Sequence, residues 1–427
     1  MYREGMPGTQ PLADEAILRL VDECENECAS IFRSFDKVAE KGQYKVLSAM
    51  KKARLSDTHF SFTTGYGYDD AGRQATEKIF ADVFGAESSL VRTQIVNGTH
   101  AIFTVFSGIL RPGETLLYCT GEPYDSLFQG IGLTGDSRNS LASHGIGYKQ
   151  TGLLENGGID FPALEKALTP DVKMACIQRA TGYSSRRALL IDEIAQWAAF
   201  VKSRSPDVVT MVDNCYGEFL EESEPTEVGV DIVAGSLIKN PGGGLALSGG
   251  YIAGKSQLVG LAAERLTCPG IGGECGLTFG QTRNILQGLF LAPGAVRNAV
   301  RGAVLAAAVM GRLGFDVKPL PGDPRSDIVQ TITLGSKEGL IAFCEGIQAA
   351  SPVDAFASPI PAPMPGYEDE VVMAAGGFVT GSTLELSADG PVREPFNVYF
   401  QGGLTYEHAK TGVISAAERL RIKGFPG

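Results

Sequence analysis

A mostly parallel α/β fold is predicted by three features of the 427-residue sequence. Short apolar runs alternate with amphipathic stretches, hydrophobic residues reach 44% against 20% charged, and glycine occurs 54 times. The alternation decides the class, because strands separated by helices assemble into a mainly parallel sheet. The apolar fraction suffices for a large core, and the charge is too low for disorder. Glycine above the usual ~7% marks backbone that turns tightly or approaches a ligand closely. At about 150 residues per domain the length allows two or three domains.

Taken in order, the segment from Leu12 to about Ser56 sets Ile17, Leu18, Val21, Cys24, Cys28 and Ile31 at three- and four-residue steps with acids between them. That spacing predicts an amino-terminal helical arm over residues 1–56. Buried strands are expected at Thr115 to Cys119, Met174 to Ile177, Val208 to Asp213 and Asp231 to Ala234, with a helix at Ile191 to Val201. These make a large α/β domain over residues 57–300. An Ala-rich helix is expected from about Gly294 to Leu313, stopping at Gly314. Proline-rich turns between Ser351 and Pro365, and strand-like segments near Ile328 to Leu334 and Val371 to Met373, indicate a smaller α+β domain over residues 301–427. The run Asn397 to Gly402 looks like a protease-tag scar, but it lies 25 residues before the end and leads into a helical pattern, so it reads as native.

Lys plus Arg number 37 against 49 Asp plus Glu, a net charge of −12, with no basic block. Nucleic acid and anionic membrane are therefore not expected partners. Met1 to Gln10 lacks a basic region followed by an apolar run, and no stretch reaches the ~18 apolar residues of a membrane span. A cytoplasmic protein is the expectation. Its eight cysteines are scattered and read as reduced thiols. Cys24 and Cys28 lie one helical turn apart, but with only four histidines and no paired ligand spacing, no metal site is expected.

Two lysine segments invite a functional reading. Gly249 to Ser256 fits the G-x-x-x-x-G-K-[ST] phosphate-loop pattern, yet Tyr251, Ile252 and Ala253 look like strand where that loop must be irregular. The second segment, Gly235-Ser236-Leu237-Ile238-Lys239-Asn240-Pro241-Gly242-Gly243-Gly244, puts a lysine inside an apolar, glycine-rich stretch. Lysine is almost never buried without a purpose, and burial there favours the neutral, nucleophilic amine of Schiff-base chemistry. Upstream, Asp213 ends an apolar strand, where an α/β sheet presents ligand-binding groups. Such an acid can keep a pyridinium nitrogen protonated. Finally, Asn97-Gly98-Thr99-His100 opens an apolar run as a loop entering a helix, and free N–H groups there suit a phosphate. Phosphate site, acid and lysine together point to pyridoxal 5'-phosphate.

These segments resemble a known family: the fold-type I pyridoxal phosphate enzymes of the cystathionine lyase and methionine γ-lyase kind, most closely the aluminium resistance branch. The resemblance also covers Gly65-Tyr66-Gly67-Tyr68-Asp69-Asp70 with Gly72-Arg73, Val212 to Phe219, and Glu385 to Pro395, from about residue 60 to 410. It implies a seven-stranded-type sheet and a Schiff base on Lys239, which also shuttles protons. Asp213 would pair with the pyridine nitrogen, and Gly98, Thr99 and Ser236 would bind phosphate. Tyr124 would stack on the cofactor ring, with His100 as a competitor for that contact. Tyr66 or Tyr68, with Arg73, would be lent by a neighbouring subunit in a homodimer or homotetramer. Arg393 would clamp the substrate α-carboxylate. Where better-known relatives carry Tyr-x-Arg and Asn-Pro, this chain has Tyr66-Gly67-Tyr68 and Gln178 to Tyr183, so Gln178 or Arg179 would contact the phenolate oxygen. The implied reaction is β- or γ-elimination of a sulfur or activated-oxygen group, giving a keto acid and ammonia. Alternatives are γ-replacement by the same site and a non-catalytic regulatory protein on the same scaffold.

Overall fold

The computed structural model describes residues 13–184 and 186–426. The start of the expected arm, residues 1–12, lies outside the described residues. The first sheet contains β1 (Ser88–Arg92), β2 (Thr115–Tyr118), β3 (Gly147–Gln150), β4 (Val172–Gln178), β5 (Val209–Asp213), β6 (Ile232–Ser236) and β7 (Gly250–Gly254). Their order is β1-β7-β6-β5-β4-β2-β3, and β7 alone runs antiparallel to its neighbours. The second sheet is antiparallel, in the order β10-β11-β12-β9-β8, from β8 (Asp316–Lys318), β9 (Gln330–Thr333), β10 (Val371–Ala374), β11 (Ser387–Pro391) and β12 (Asn397–Gln401). Asn397 to Gln401 is thus an integral strand, its register set by Val398 opposite Ile332.

The helices are α1 (Glu15–Lys52), α2 (Ala71–Phe84), α3 (Gly98–Ile109), α4 (Phe128–Ile131), α5 (Phe161–Ala167), α6 (Ile191–Arg204), α7 (Ser256–Leu266), α8 (Thr282–Arg312), α9 (Lys337–Ala349) and α10 (Tyr406–Ile422). Two cores sandwich the first sheet. On one face Ile177, Val212 and Val233 pack with Trp197 of α6 and Leu289 of α8, and on the other Met211, Ile232 and Ile252 pack with Val105 of α3 and Ala262 of α7. Neighbouring side chains of a strand point to opposite faces, so these mainly apolar central strands are buried on both.

One expectation about the end of this domain needs correction. α8 begins at Thr282, not near Gly294, with Pro293 buried inside it. Proline interrupts a helical pattern in sequence because it lacks an N–H, but here it seats against α1, where a side chain on Gly42 would touch its ring. The expected helical arm is α1, and it packs on both domains: Ile17, Val21, Cys24 and Cys28 enter the small-domain core, and Val46 and Ala49 the large-domain core. α8 is shared likewise, with Val296 and Val300 in one core and Val304 and Leu305 in the other. The expected division at residue 300 therefore falls within one continuous helix.

Cys24 and Cys28 are buried in that core, and burial pushes the Cys28 thiol up to about 11. Among the described residues no cluster fit to hold a metal occurs, and no helix is long and apolar enough to cross a membrane. The phosphate-loop look-alike is the strand β7, and the Lys255 ammonium donates to Asp231 at 2.6 Å.

Candidate active site

Three neighbouring strands bring Gln178, Asp213 and Ala234 into register at their carboxyl ends, with Ser236 closing β6 just beyond. Parallel strands leave a crevice at that edge. Here it opens into a cavity of about 270 Å³ lined by Gly98, Thr99, Tyr124, Gln178, Asp213, Ser236 and Lys239. Gly98 and Lys239, 141 positions apart, thus converge on one site.

Lys239 follows β6 in the turn that enters a short 3-10 segment, Asn240–Gly242. Gly243 holds that turn against α8: its φ of 54° is left-handed, and a Cβ would fall 2.1 Å from the Gly288 carbonyl oxygen. The lysine Nζ stands 4.1 Å above the Tyr216 ring centroid, a cation–π contact. Asp213 is buried, and its Oδ1 accepts the Cys215 N–H at 3.1 Å. Burial raises the pKa of this carboxyl, and the nearby Lys239 charge opposes that rise. Its ionised form therefore depends on a positive neighbour.

At the other end of the cavity Asn97 caps α3 by accepting the His100 N–H at 2.9 Å. The Gly98 and Thr99 amides, in the first turn, have no intrahelical acceptor and face the helix-dipole positive end. Gly98 must lack a side chain, since a Cβ would meet Cys215 Sγ at 3.0 Å and Ser236 Cβ at 3.4 Å. The Thr99 and Ser126 hydroxyls hydrogen-bond to each other at 2.6 Å. Ser236 Oγ is buried without a partner. A buried hydroxyl left unpaired is costly, and the cradle of amides and hydroxyls suits a phosphate.

Several expected site residues lie elsewhere. Arg73 is buried, but its guanidinium donates to the Gly276 and Glu274 carbonyls at 3.0 and 2.9 Å and to the Gly67 carbonyl at 2.5 Å. It braces the glycine-rich segment 270–280 instead of reaching the cavity of its own chain. Arg179 faces away, donating to Asn214 Oδ1 at 2.9 Å and to Ser326 Oγ at 2.8 Å. Gln178 is therefore the member of that pair that lines the cavity. His100 Nδ1 accepts the Val96 N–H at 3.1 Å outside the cavity, leaving Tyr124 as the lining ring of the two. Arg393 sits in an outer hollow, half-exposed and paired with Asp369 at 3.0 Å, so its charge is already matched by a carboxylate. Tyr66 and Tyr68 are 73% and 60% exposed, stacked on each other at 5.3 Å, and do not line the cavity of their own chain.

Sequence reasoning assigned no role to Ser126, Tyr183, Tyr216, Tyr367, Asp389 or Tyr399, all of which line the cavity. Tyr216 and Asp389 fall in family-like segments and Tyr183 in one that departs from the family, yet nothing in their spacing shows which way they point.

The family profile described as methionine gamma-lyase matches residues 17–421. The uncharacterized protein YnbB of Bacillus subtilis (strain 168) is 47% identical over 410 residues, covering 96% of this chain and 97% of its own length. A solved structure from Listeria monocytogenes, described there as a proposed cystathionine beta-lyase involved in aluminium resistance, is 50% identical with a TM-score of 0.92, covering 94% of this chain and 99% of that one. One from Clostridium acetobutylicum with the same description is 46% identical, again with a TM-score of 0.92, over 96% of each chain. The pyridoxal-5'-phosphate dependent protein YhfS of Escherichia coli shares the fold at 15% identity, with a TM-score of 0.61 over 91% of this chain and 97% of its own.

Proposed function

The chain belongs to the methionine gamma-lyase family, and from that premise we propose that it is a pyridoxal phosphate-dependent carbon–sulfur lyase acting on an amino acid by β- or γ-elimination. The observation that carries the reading is the convergence of Lys239, Asp213 and the unpartnered Ser236 hydroxyl on one cavity beside the α3 amino terminus. The residues fit the cofactor. Gly98, Thr99 and Ser236 would hold its phosphate, Tyr124 and Gln178 would contact its ring, and Asp213 would keep a proton on its ring nitrogen.

When bound, pyridoxal phosphate supplies an aldehyde that takes up the substrate amine and a ring that withdraws electrons from the α-carbon. The chain's own groups do the rest. The Lys239 amine removes the proton from the substrate Cα and is placed to return one later. Asp213, ionised beside a positive partner, holds the electron-withdrawing state of the ring. The apolar strands beneath the cavity exclude water and strengthen both interactions. Loss of the sulfur group then leaves an unsaturated product that hydrolyses to a keto acid and ammonia.

The test is direct. Purified protein given the cofactor should gain a visible absorbance band, and a panel of sulfur amino acids and activated homoserines should yield keto acid, ammonia and thiol. A protein that stays colourless would sink the reading.

Assembly into a homodimer or larger homo-oligomer is part of the proposal. Phe62, Tyr66, Tyr68 and Phe279 are exposed together, since Tyr66 accepts the Gly276 N–H at 3.0 Å and Gly280 lies beside Phe62. Exposed aromatic clusters of this kind mark interaction sites. If Tyr66 serves a neighbour's site, Lys239→Ala and Tyr66→Ala chains, each inactive alone, should regain activity after mixing and subunit exchange. One intact site per mixed dimer gives about a quarter of wild-type activity; no recovery would place Tyr66 outside catalysis.

A further inference from the structure

Part of the cavity wall comes from the small domain, and its chemistry is not used above. Across the second sheet, Met373, Asp389 and Tyr399 stand opposite one another on β10, β11 and β12, and all three line the cavity. Directly opposed residues project from the same face of a sheet, so the Asp389 carboxylate is presented between a thioether and a phenol.

Asp389 is only 1% exposed. Its Oδ2 accepts the Ser382 hydroxyl at 2.6 Å, whereas Oδ1 is buried without a hydrogen-bond partner. Burial pushes its pKa up to about 6, with the Ser382 and Tyr183 hydroxyls and the Lys239 charge working against that rise. Around it the rings gather: Tyr183 lies 4.9 Å from Tyr399 and 5.6 Å from Tyr367, centroid to centroid. A carboxylate beside several aromatic faces recognises an ammonium, by charge at one side and by the ring quadrupoles at the others. Among the described residues the cavity lining includes the acids Asp213 and Asp389, one lysine and no arginine.

We propose that Asp389, ringed by Tyr183, Tyr367 and Tyr399, is a subsite for a protonated amine carried on the side chain of the amino-acid substrate. The inference rests on the lyase reading and narrows its substrates to those with a cationic leaving-group arm. Neutral arms leave Oδ1 unpaired, and anionic arms meet a like charge.

The experiment uses holoenzyme and three matched probes: S-(2-aminoethyl)-L-cysteine, its neutral isostere S-propyl-L-cysteine, and S-(carboxymethyl)-L-cysteine. Affinity is read from the change in cofactor absorbance on titration, and turnover from thiol and keto acid release. Wild type is expected to bind the aminoethyl probe at least about tenfold more tightly than the propyl probe, the worth of one hydrogen bond to a charged group. The carboxymethyl probe should bind most weakly. Asp389→Asn, which keeps the shape of the side chain, should bring the aminoethyl-to-propyl ratio close to one. An equal affinity for the two probes in wild type, or a ratio that survives in Asp389→Asn, overturns the subsite. So does the absence of a spectral response to every probe. Selective binding without release of thiol leaves the subsite standing and counts against the lyase reading, while turnover without selectivity does the reverse. The wild-type ratio decides the matter even if the variant fails to fold.

Discussion

Lys239→Ala is expected to abolish turnover, with kcat/KM falling at least about 10⁴-fold, and to remove the visible band that the cofactor gives the wild-type protein. Lys239 is the only lysine that lines the cavity among the described residues. No other amine can take over, since the nearby motif lysine, Lys255, is held by Asp231 at the far end of β6. The truncation also removes the cation above the Tyr216 ring and one of the positive charges that oppose the raised pKa of Asp213. Circular dichroism and thermal melting should show a folded variant, because the surrounding turn is fixed by backbone contacts at Gly243 and not by the lysine side chain. Turnover within tenfold of wild type would end the assignment of Lys239 as nucleophile and base.

Asp213→Asn should lower kcat by about 10²- to 10³-fold with KM changed only a few-fold. The amide matches the carboxylate in shape and still accepts the Cys215 N–H, so the strand end keeps its geometry. What it loses is the negative charge. Burial raises the pKa of Asp213, so a cation beside it stabilises its ionised form, and on the proposed reading that cation would be the protonated ring nitrogen. The charge matters most when electrons leave the substrate α-carbon, which is why the effect belongs in kcat. A shift of the cofactor absorbance in the variant would report the same loss without turnover. Unchanged kcat would show that Asp213 only shapes the cavity.

Legibility in the sequence followed how local each signal was. Asp213 and Gly98 were readable because a strand end and a helix entry are short-range patterns, and the structure puts both on the cavity. Lys239 stood out by contrast with its apolar neighbours. Asp389 was hidden, since its meaning comes from the opposed positions on β10 and β12 and from Tyr183, more than 200 residues earlier. The arginines were hard to place for a different reason. Guanidinium groups serve loop carbonyls and carboxylates as well as they serve ligands, and Arg73, Arg179 and Arg393 are all so engaged, Arg179 with Glu221. Pro293 misplaced the start of α8 because a proline's cost in a helix is local, whereas the packing that accepts it is tertiary. The excess of glycine at 270–280 now has a partial account: its carbonyls are the acceptors of Arg73 and Arg92.

α8 contributes to both cores without interruption. It also abuts the turn behind Lys239 through Gly288 and, further along, packs beneath the sheet that carries Asp389. A single rod thus links the turn that carries Lys239 to the sheet that carries Asp389, and on the proposed subsite it would set the distance between them. The spacing is set when the chain folds, so a substrate of the right length loses little entropy in being aligned.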